Sequence, residues 1–256
     1  MLHGSCQCGA VEFEVSGPLR DVIACHCTQC RKVSGHCWAA STAPIAAFRM
    51  IRDDGLRWFR SSATARRGFC GTCGATLFWE PSGEARWSFS PGVIDGPTGL
   101  TTAEHIFMQD AGDYYAPEGP PPPLTTVTGP LSASCLCGAA RFTLLGPAGD
   151  ITACHCTQCR KLSGHYSASF DAAESGIAWA ANTTVQEYET PGHALRGFCG
   201  TCGSNLYFRG AQGEFCVEAG VVTGATGGRL TAHIFVANKG DYYDLDDGLP
   251  QFAGAS

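Results

Sequence analysis

The twelve residues from Cys25 to His36 place three cysteines and two histidines at spacings suited to metal binding. They read CHCTQCRKVSGH, and residues 154–165 repeat them as CHCTQCRKLSGH with a single valine-to-leucine difference. Thiolate sulfur is a preferred zinc ligand, and a zinc with three protein ligands keeps its fourth position open for water or substrate. The sequence therefore predicts an open zinc site in each half, held by two cysteine trios: Cys25, Cys27 and Cys30, and Cys154, Cys156 and Cys159.

Four further cysteines in each half predict a second, closed zinc site. Cys6 and Cys8 form a C-x-C pair, and Cys70 and Cys73 lie in a C-G-x-C-G knuckle whose glycines permit a tight turn. If the C-x-C pair lies in a strand, both sulfurs face the same side and share one metal. We expect each quartet to be a structural site that ties distant segments together, and the second quartet is Cys135, Cys137, Cys199 and Cys202.

Two alternatives to an open trio follow from the neighbouring residues. A histidine could complete the zinc tetrahedron and make the site structural, and the candidates are His26 or His36 and their repeats His155 or His165. A redox role for the C-x-x-C pair Cys27/Cys30 is the other, but no βαβ pattern surrounds it. His36 and His165 are also candidates for residues that surround the zinc ligands.

Basic residues follow each trio, and they have two interpretations. Arg31 and Arg160, with Lys32 and Lys161, either form a solvated face or balance the charge of a thiolate cluster and dock an acidic ligand. Cys37 and Cys216 are not repeated in the other half, so we expect each to be a free buried thiol. His105 and His233 lie in alternating apolar contexts, which predicts hydrogen-bonded core residues.

The elements that carry these residues are short strands. Val11, Phe13 and Val15 alternate with small or polar residues, which is the period of a half-buried strand. Similar short runs recur between glycine-rich turns, and no amphipathic helix of ten residues or more is evident. The fold class predicted from the residues is therefore mainly β.

The chain consists of two copies of one unit. The C-x-C pair, the trio, the knuckle and a closing H-I-F and G-D-Y-Y all recur at an offset of 128 or 129 residues. A repeat this long indicates duplicated domains rather than a solenoid. A proline-rich stretch between the copies predicts an extended linker. We expect a first domain at 1–116, a linker at 117–130 and a second domain at 131–256.

Composition excludes several classes of function. The chain has 256 residues, 44% of them hydrophobic and 16% charged, with a net charge of −6. It has no dense basic run, which argues against binding to duplex nucleic acid or to an anionic membrane surface. No signal peptide and no apolar run of about 20 residues is evident, so we expect a cytoplasmic protein whose cysteines stay reduced and bind metal.

These motifs resemble those of the glutathione-dependent formaldehyde-activating enzyme (GFA) family, which includes the centromere protein V type. The resemblance lies in G-S-C-x-C-G (A-S-C-L-C-G in the second copy), C-H-C-T-Q-C-R-K-x-S-G, R-G-F-C-G-T-C-G and H-I-F, in this order in both halves. It implies two tandem β-tent domains of short antiparallel strands, each organised around zinc. It also implies that the quartet zinc is structural and the trio zinc is labile and catalytic.

The activity implied by this resemblance is the addition of glutathione to formaldehyde, the reaction of a carbon–sulfur lyase run in reverse. We therefore expect a small thiol and an aldehyde as partners, with two Zn²⁺ per domain and four per chain. The alternative is a non-catalytic tandem zinc module with a structural or protein-binding role. The two hypotheses differ in one observable, because only the enzyme needs a zinc with fewer than four protein ligands.

Overall fold

The computed structural model describes residues 1–255 and shows two sheet-rich halves of the same design. Each half contains one three-stranded sheet, one seven-stranded sheet, one short α-helix and three single-turn 3-10 helices. The first half comprises β1 Leu2–Ser5, β2 Glu12–Val15, β3 Val22–Cys25, α1 Thr28–Ser34, β4 Trp38–Pro44, β5 Phe48–Arg52, β6 Leu56–Ser62, β7 Ala65–Cys70, β8 Thr76–Pro81, β9 Arg86–Phe89 and β10 Thr102–Ile106.

The second half repeats this order of elements. It comprises β11 Leu131–Ser134, β12 Arg141–Leu144, β13 Asp150–Cys154, α2 Thr157–Ser163, β14 Ser167–Asp171, β15 Ala178–Ala181, β16 Val185–Glu189, β17 Leu195–Cys199, β18 Asn205–Arg209, β19 Phe215–Glu218 and β20 Arg229–Ile234. Residues 116–130 contain no helix or strand, and the proposed domain boundaries remain a prediction. The mainly β fold class is confirmed.

The strand order explains how distant cysteines meet. The small sheets run β1-β2-β5 and β11-β12-β15, and the large sheets run β10-β3-β4-β9-β8-β7-β6 and β16-β17-β18-β19-β14-β13-β20. Neighbours pair antiparallel except β10 with β3 and β20 with β13, which are parallel. The trio segment therefore leaves β3 or β13 beside the H-I-F strand, and the knuckle lies between β7 and β8 or β17 and β18.

Both helices begin inside the trio and stop after seven residues. Cys27 and Cys156 precede α1 and α2 as extended residues, and Gly35 and Gly164 follow them with φ of 87° and 82°. Glycine adopts this left-handed conformation without strain. A residue in this conformation after the last helical turn commonly ends a helix. The Ser-Gly pair of the repeated motif thus defines the end of the helix.

One structural expectation about the quartets is wrong. Cys6 and Cys8 do not lie in a strand, because β1 ends at Ser5 and the pair occupies the turn before β2. The turn still brings the two sulfurs to 3.6 Å from each other. The Val11 amide donates to the Cys6 sulfur at 3.2 Å, so the turn orients a backbone dipole toward the cluster.

Side chains of each half form hydrogen bonds with groups of the other half across their contact. The Lys32 ammonium donates to Ser134, Val221 and Thr223 of the second half, and the Lys161 ammonium binds Ser5 and Asp95 of the first. The G-D-Y-Y segments are exchanged as well: the Asp113 carboxylate accepts from Thr226 and Gly227, and that of Asp241 accepts from Thr98 and Gly99. Each half therefore completes the packing of the other.

Backbone contacts between the halves are close enough to require glycine. The Gly92 amide donates to the Gly164 carbonyl at 3.0 Å, and the Gly220 amide donates to that of Gly35 at 2.7 Å. A Cβ added to Gly92 or Gly220 would lie 2.6 Å or 2.3 Å from backbone atoms of the opposite half. The ends of both helices are therefore held by the partner half. Within residues 1–255, no helix has the length and apolar character that crossing a membrane requires.

Candidate metal centres

Each half brings four cysteines together from the start of the chain and the knuckle. The sulfurs of Cys6, Cys8, Cys70 and Cys73 lie within 4.8 Å of one another, as do those of Cys135, Cys137, Cys199 and Cys202. Sulfurs bound to one tetrahedral zinc at about 2.3 Å lie about 3.8 Å apart. The hydrogen-bonding sulfur pairs of the quartets are separated by 3.6 and 3.7 Å in the first half and by 3.5 and 3.8 Å in the second. The quartets therefore fit a closed zinc site.

The remaining repeated cysteines form two clusters of three. The sulfurs of each trio also lie within 4.8 Å of one another, and no histidine, carboxylate or further cysteine of residues 1–255 joins them. Cys30 and Cys159 are buried, whereas Cys27 and Cys156 are partly exposed. The arrangement offers three thiolates to a metal and no fourth protein ligand, which is the donor set of an open zinc site.

The thiols of a trio cannot all ionise without a cation. Hydrogen bonds from the neighbouring thiols, Cys25 first, lower the pKa of Cys27 to about 2, and those from Cys154 and Cys159 lower the pKa of Cys156 to about 2. Because Cys25 donates hydrogen bonds to Cys27 and then Cys30, its own thiol pKa is raised far above the usual value. One thiolate is thus stabilised at the expense of its neighbours. A bound metal ion removes this conflict, because it stabilises all three thiolates at once.

An arginine faces each trio, buried in the first half and partly buried in the second. The Arg67 guanidinium lies 3.4 Å from the Cys30 sulfur, and that of Arg196 lies 3.6 Å from the Cys159 sulfur. Arg67 is only 5% exposed, and two of its guanidinium nitrogens have no hydrogen-bond partner among residues 1–255. Neither arginine has a carboxylate within ion-pair distance in that range. Three thiolates around a divalent zinc carry one net negative charge, which a single guanidinium balances.

The surroundings of the two trios differ at two positions whose side chains form a hydrogen bond with each other in both halves. In the first half the Trp38 indole donates to the Ser90 hydroxyl at 2.7 Å, and Trp38 packs against Cys25 and Cys30 with Trp79 and Ile106 nearby. The equivalent positions in the second half hold Ser167 and Glu218, and the Ser167 hydroxyl donates to the buried Glu218 carboxyl at 2.7 Å. The first site is therefore lined by aromatic surface and the second by a carboxyl.

The histidines of the repeated motif point away from the trios. The His26 ring lies between the Tyr115 hydroxyl at 2.7 Å and His105 at 2.9 Å, and the His155 ring is held in the same way by Tyr243 and His233. His36 and His165 are buried against Tyr114 and Tyr242. Both nitrogens of His26 and His155 are occupied in this way. Both nitrogens of His36 are also bonded, since its Nε2 lies 3.3 Å from the Tyr166 hydroxyl, whereas only Nδ1 of His165 has a partner among residues 1–255. His105 and His233 are hydrogen-bonded, although only His233 is fully buried.

The basic residues and the unrepeated cysteines have specific places. A solvated face is the wrong interpretation for Lys32 and Lys161, because both are buried between the halves. The Lys32 ammonium lies near Cys135 and Cys202, so it balances the charge of the opposite quartet rather than of its own trio. The Arg31 and Arg160 guanidinium groups donate to the Asp110 and Gly92 carbonyls. Cys37 is a buried free thiol, as expected, but the expected burial of Cys216 is wrong, because this free thiol is partly exposed.

Sequence reasoning missed the two arginines beside the trios. Arg67 and Arg196 precede the knuckles by three residues in both halves, and this repetition was the available signal. Their role was hidden because trio and knuckle are about forty residues apart in the chain. Glu218 gave no such signal, since the first half has a serine there. Its contact with the trio region depends on the β14–β19 pairing.

Comparisons with known proteins agree with this description. The model of the family described as glutathione-dependent formaldehyde-activating enzyme matches residues 1–110 and again residues 130–238. An uncharacterised lyase of Schizosaccharomyces pombe is 26% identical over 121 residues, which cover 46% of this chain and 88% of that protein. A Rhodobacter sphaeroides protein of known structure is 27% identical, with a TM-score of 0.35 over 41% of this chain and 99% of the other. Because the family model matches both halves, the chain belongs to the glutathione-dependent formaldehyde-activating enzyme family, as two tandem copies of its domain.

Proposed function

We propose that the chain is a zinc-dependent enzyme of the carbon–sulfur lyase type that adds a small, glutathione-like thiol to an aldehyde such as formaldehyde. In this reaction a carbon–sulfur bond forms, the carbonyl double bond becomes a single carbon–oxygen bond, and the thiol proton ends on that oxygen. With glutathione and formaldehyde the product is S-(hydroxymethyl)glutathione. Family membership supports the proposal, as does the relative whose name describes it as a lyase.

The observation that carries the proposal is the three-sulfur cluster without a fourth protein ligand among residues 1–255. Cys25, Cys27 and Cys30 would hold one zinc, and Cys154, Cys156 and Cys159 the other. Together with the quartets this gives two zinc ions per half and four per chain. A zinc bound by a trio would stabilise an incoming thiol as its thiolate.

The surrounding residues contribute charge balance and exclusion of water. The guanidinium groups of Arg67 and Arg196 offset negative charge at the innermost cysteine of each trio. In the first half, Trp38, Trp79 and Ile106 surround the sulfurs and shield them from water. Holding the two reactants together in such a site is the main source of acceleration we expect, since the reaction needs little acid or base strength.

A cytoplasmic location belongs to the same proposal, because cysteines that bind metal stay reduced there. The division into domains at 1–116 and 131–256 belongs to the same proposal, and so does the assignment of the quartets to structure. The zinc-loaded full chain is the appropriate form for testing all of these points.

The deciding experiment measures zinc content, coordination and turnover in the same samples. We expect X-ray absorption to show an average below four sulfurs per zinc and a light, exchangeable ligand that millimolar glutathione displaces. NMR exchange spectroscopy should show faster formation of S-(hydroxymethyl)glutathione with the wild-type chain than with C27S/C156S. The control variant is Cys37→Ser, which changes a buried thiol outside both trios. Four protein ligands on every zinc, or full turnover by C27S/C156S, would contradict the proposal and favour a non-catalytic zinc module.

A further inference from the structure

A cavity of about 570 Å³ lies between the two halves, apart from all four cysteine clusters. Both halves and the linker contribute to its lining, but none of the fourteen trio and quartet cysteines does so. The cavity is therefore not lined by the sulfurs of either kind of cluster, although Ala24 and His26 beside the first trio contribute to its wall. Its walls and floor have a distinct chemistry, which is aromatic inside and acidic at the rim.

One nitrogen of a buried histidine that lines this cavity has no hydrogen-bond partner among residues 1–255, although the atom itself is not fully buried. In the first half, His36 uses Nδ1 for the Tyr114 hydroxyl and Nε2 for the Tyr166 hydroxyl at 3.3 Å. His165 uses Nδ1 for Tyr242 in the same way, but its Nε2 has no hydrogen-bond partner among residues 1–255. The reason is the asymmetry of the duplication, because the position equivalent to Tyr166 is Cys37. His165 is 4% exposed and lines the cavity.

Because Nε2 is not fully buried, it is accessible from the cavity, where water or a ligand can form the hydrogen bond that the protein does not supply. When the His165 proton is on Nδ1 and is donated to the Tyr242 hydroxyl, Nε2 is a hydrogen-bond acceptor. A ligand that satisfies this nitrogen must then carry a hydrogen-bond donor. The floor of the cavity therefore favours a ligand with an N–H or O–H group.

The walls and rim select for positive charge. Tyr166 and Tyr243 line the cavity with their ring centroids 5.5 Å apart, and Tyr115 lines it from the first half. The faces of such rings attract cations, and the Lys239 ammonium already lies 5.1 Å from the centroid of the Tyr243 ring. Five carboxylates also line the cavity, whereas no lysine or arginine does. Glu118 and Asp246 have no ion-pair partner among residues 1–255, so their charge is available to a ligand. An anionic thiol such as glutathione would be repelled here.

We propose that this cavity binds a small alkylated ammonium ion that retains an N–H bond, with His165 as hydrogen-bond acceptor and the tyrosines as an aromatic cage. The ligand class follows from three features in the same space: an acidic rim, aromatic walls and one acceptor that has no partner within residues 1–255. The site would be unique in the chain, because the duplicated position has Tyr166 instead of Cys37. It does not depend on turnover at the trios.

The test uses the zinc-loaded full chain and dimethylammonium as the probe, with binding measured by calorimetry and by NMR saturation transfer. Propan-2-ol serves as a neutral molecule of similar shape, and acetate as an anion. We expect dimethylammonium to bind at millimolar concentration or below and the other two not to bind. The double variant E118Q/D246N changes only exposed rim charges and should weaken binding about tenfold, the equivalent of about 1.4 kcal/mol.

A second variant tests the asymmetry directly. Cys37→Tyr restores the residue found in the other half, gives His165 a partner and fills part of the cavity, so it should abolish dimethylammonium binding. Equal binding of dimethylammonium and propan-2-ol, no binding of either, or unchanged affinity in E118Q/D246N would each overturn the proposal. Displacement of the probe by magnesium or zinc would also overturn it, since it would mean that the carboxylates hold a metal ion.

Discussion

Replacing Glu218 with glutamine should stabilise the protein at neutral and alkaline pH but much less under mildly acidic conditions. Glu218 is 5% exposed, and burial raises the pKa of its carboxyl from 4.5 to about 7. In the folded chain it therefore binds a proton that the unfolded chain has released. Glutamine keeps the shape and can still accept the hydrogen bond from Ser167, so the substitution removes mainly the cost of ionisation.

The sign and size of the effect follow from proton linkage. A pKa raised by folding means that the contribution of Glu218 to stability is complete below about pH 4.5 and is lost as pH rises through about 7. The pKa difference multiplied by about 1.4 kcal/mol per pH unit gives a total of about 3 kcal/mol. Between about pH 5.5 and 8 the advantage of E218Q should therefore grow by about 2 kcal/mol.

Urea unfolding of zinc-loaded wild-type and E218Q chains at several pH values provides the measurement. Comparing the two proteins at each pH cancels the pH dependence that the cysteine clusters contribute to both. The control is Glu214→Gln, an exposed position where the change should stay within about 0.5 kcal/mol at every pH. A stability difference between E218Q and wild type that does not vary with pH would refute the reasoning. It would mean that Glu218 is already ionised in the folded protein.

Three further predictions concern the metal clusters and the contact between the halves. Cys70→Ser should unfold the first half, because a structural zinc contributes about 10–16 kcal/mol and domains are stable by only about 5–15 kcal/mol. The Cys27→Ser variant should stay folded and lack one zinc. Circular dichroism with metal analysis checks this, and equal thermal destabilisation by both would contradict it. Lys32→Ala should cost about 2–4 kcal/mol by leaving buried acceptors of the second half unpaired, while exposed Arg49→Ala should have little effect in the same urea assay. Gly92→Ala should lower the free energy of unfolding by about 1–3 kcal/mol, because its Cβ would lie 2.6 Å from the Gly164 backbone. In the control Gly192→Ala the Cβ has no atom within 4 Å. Equal stability of the two variants would show that the end of the helix moves to make room.

Much of the local chemistry could be read from the sequence because it depends on residues close together in the chain. The trio spans six residues, so its three sulfurs converge whatever surrounds them. The duplication made the pairing of Cys6 and Cys8 with the knuckle evident, although the sulfurs meet through a turn rather than a strand. Short alternating runs between glycines were sufficient to predict a mainly β fold.

The exchange between the halves could not be predicted, because a duplicated sequence is compatible with two independent domains. Only the folded chain shows that Lys32 reaches the opposite quartet and that Asp113 and Asp241 bind across the contact. The same applies to Arg67, whose partner Cys30 lies far from it in the chain.

The sequence by itself therefore determined the cysteine groups, the duplication and the class of fold, since each depends on composition, short spacing and periodicity. The tertiary structure decided which charges surround each cluster, how the two sites differ, and that a cavity lies between the halves. These features arise where segments distant in sequence pack together. A one-residue change such as Cys37 against Tyr166 gains its meaning only from the neighbours that packing supplies.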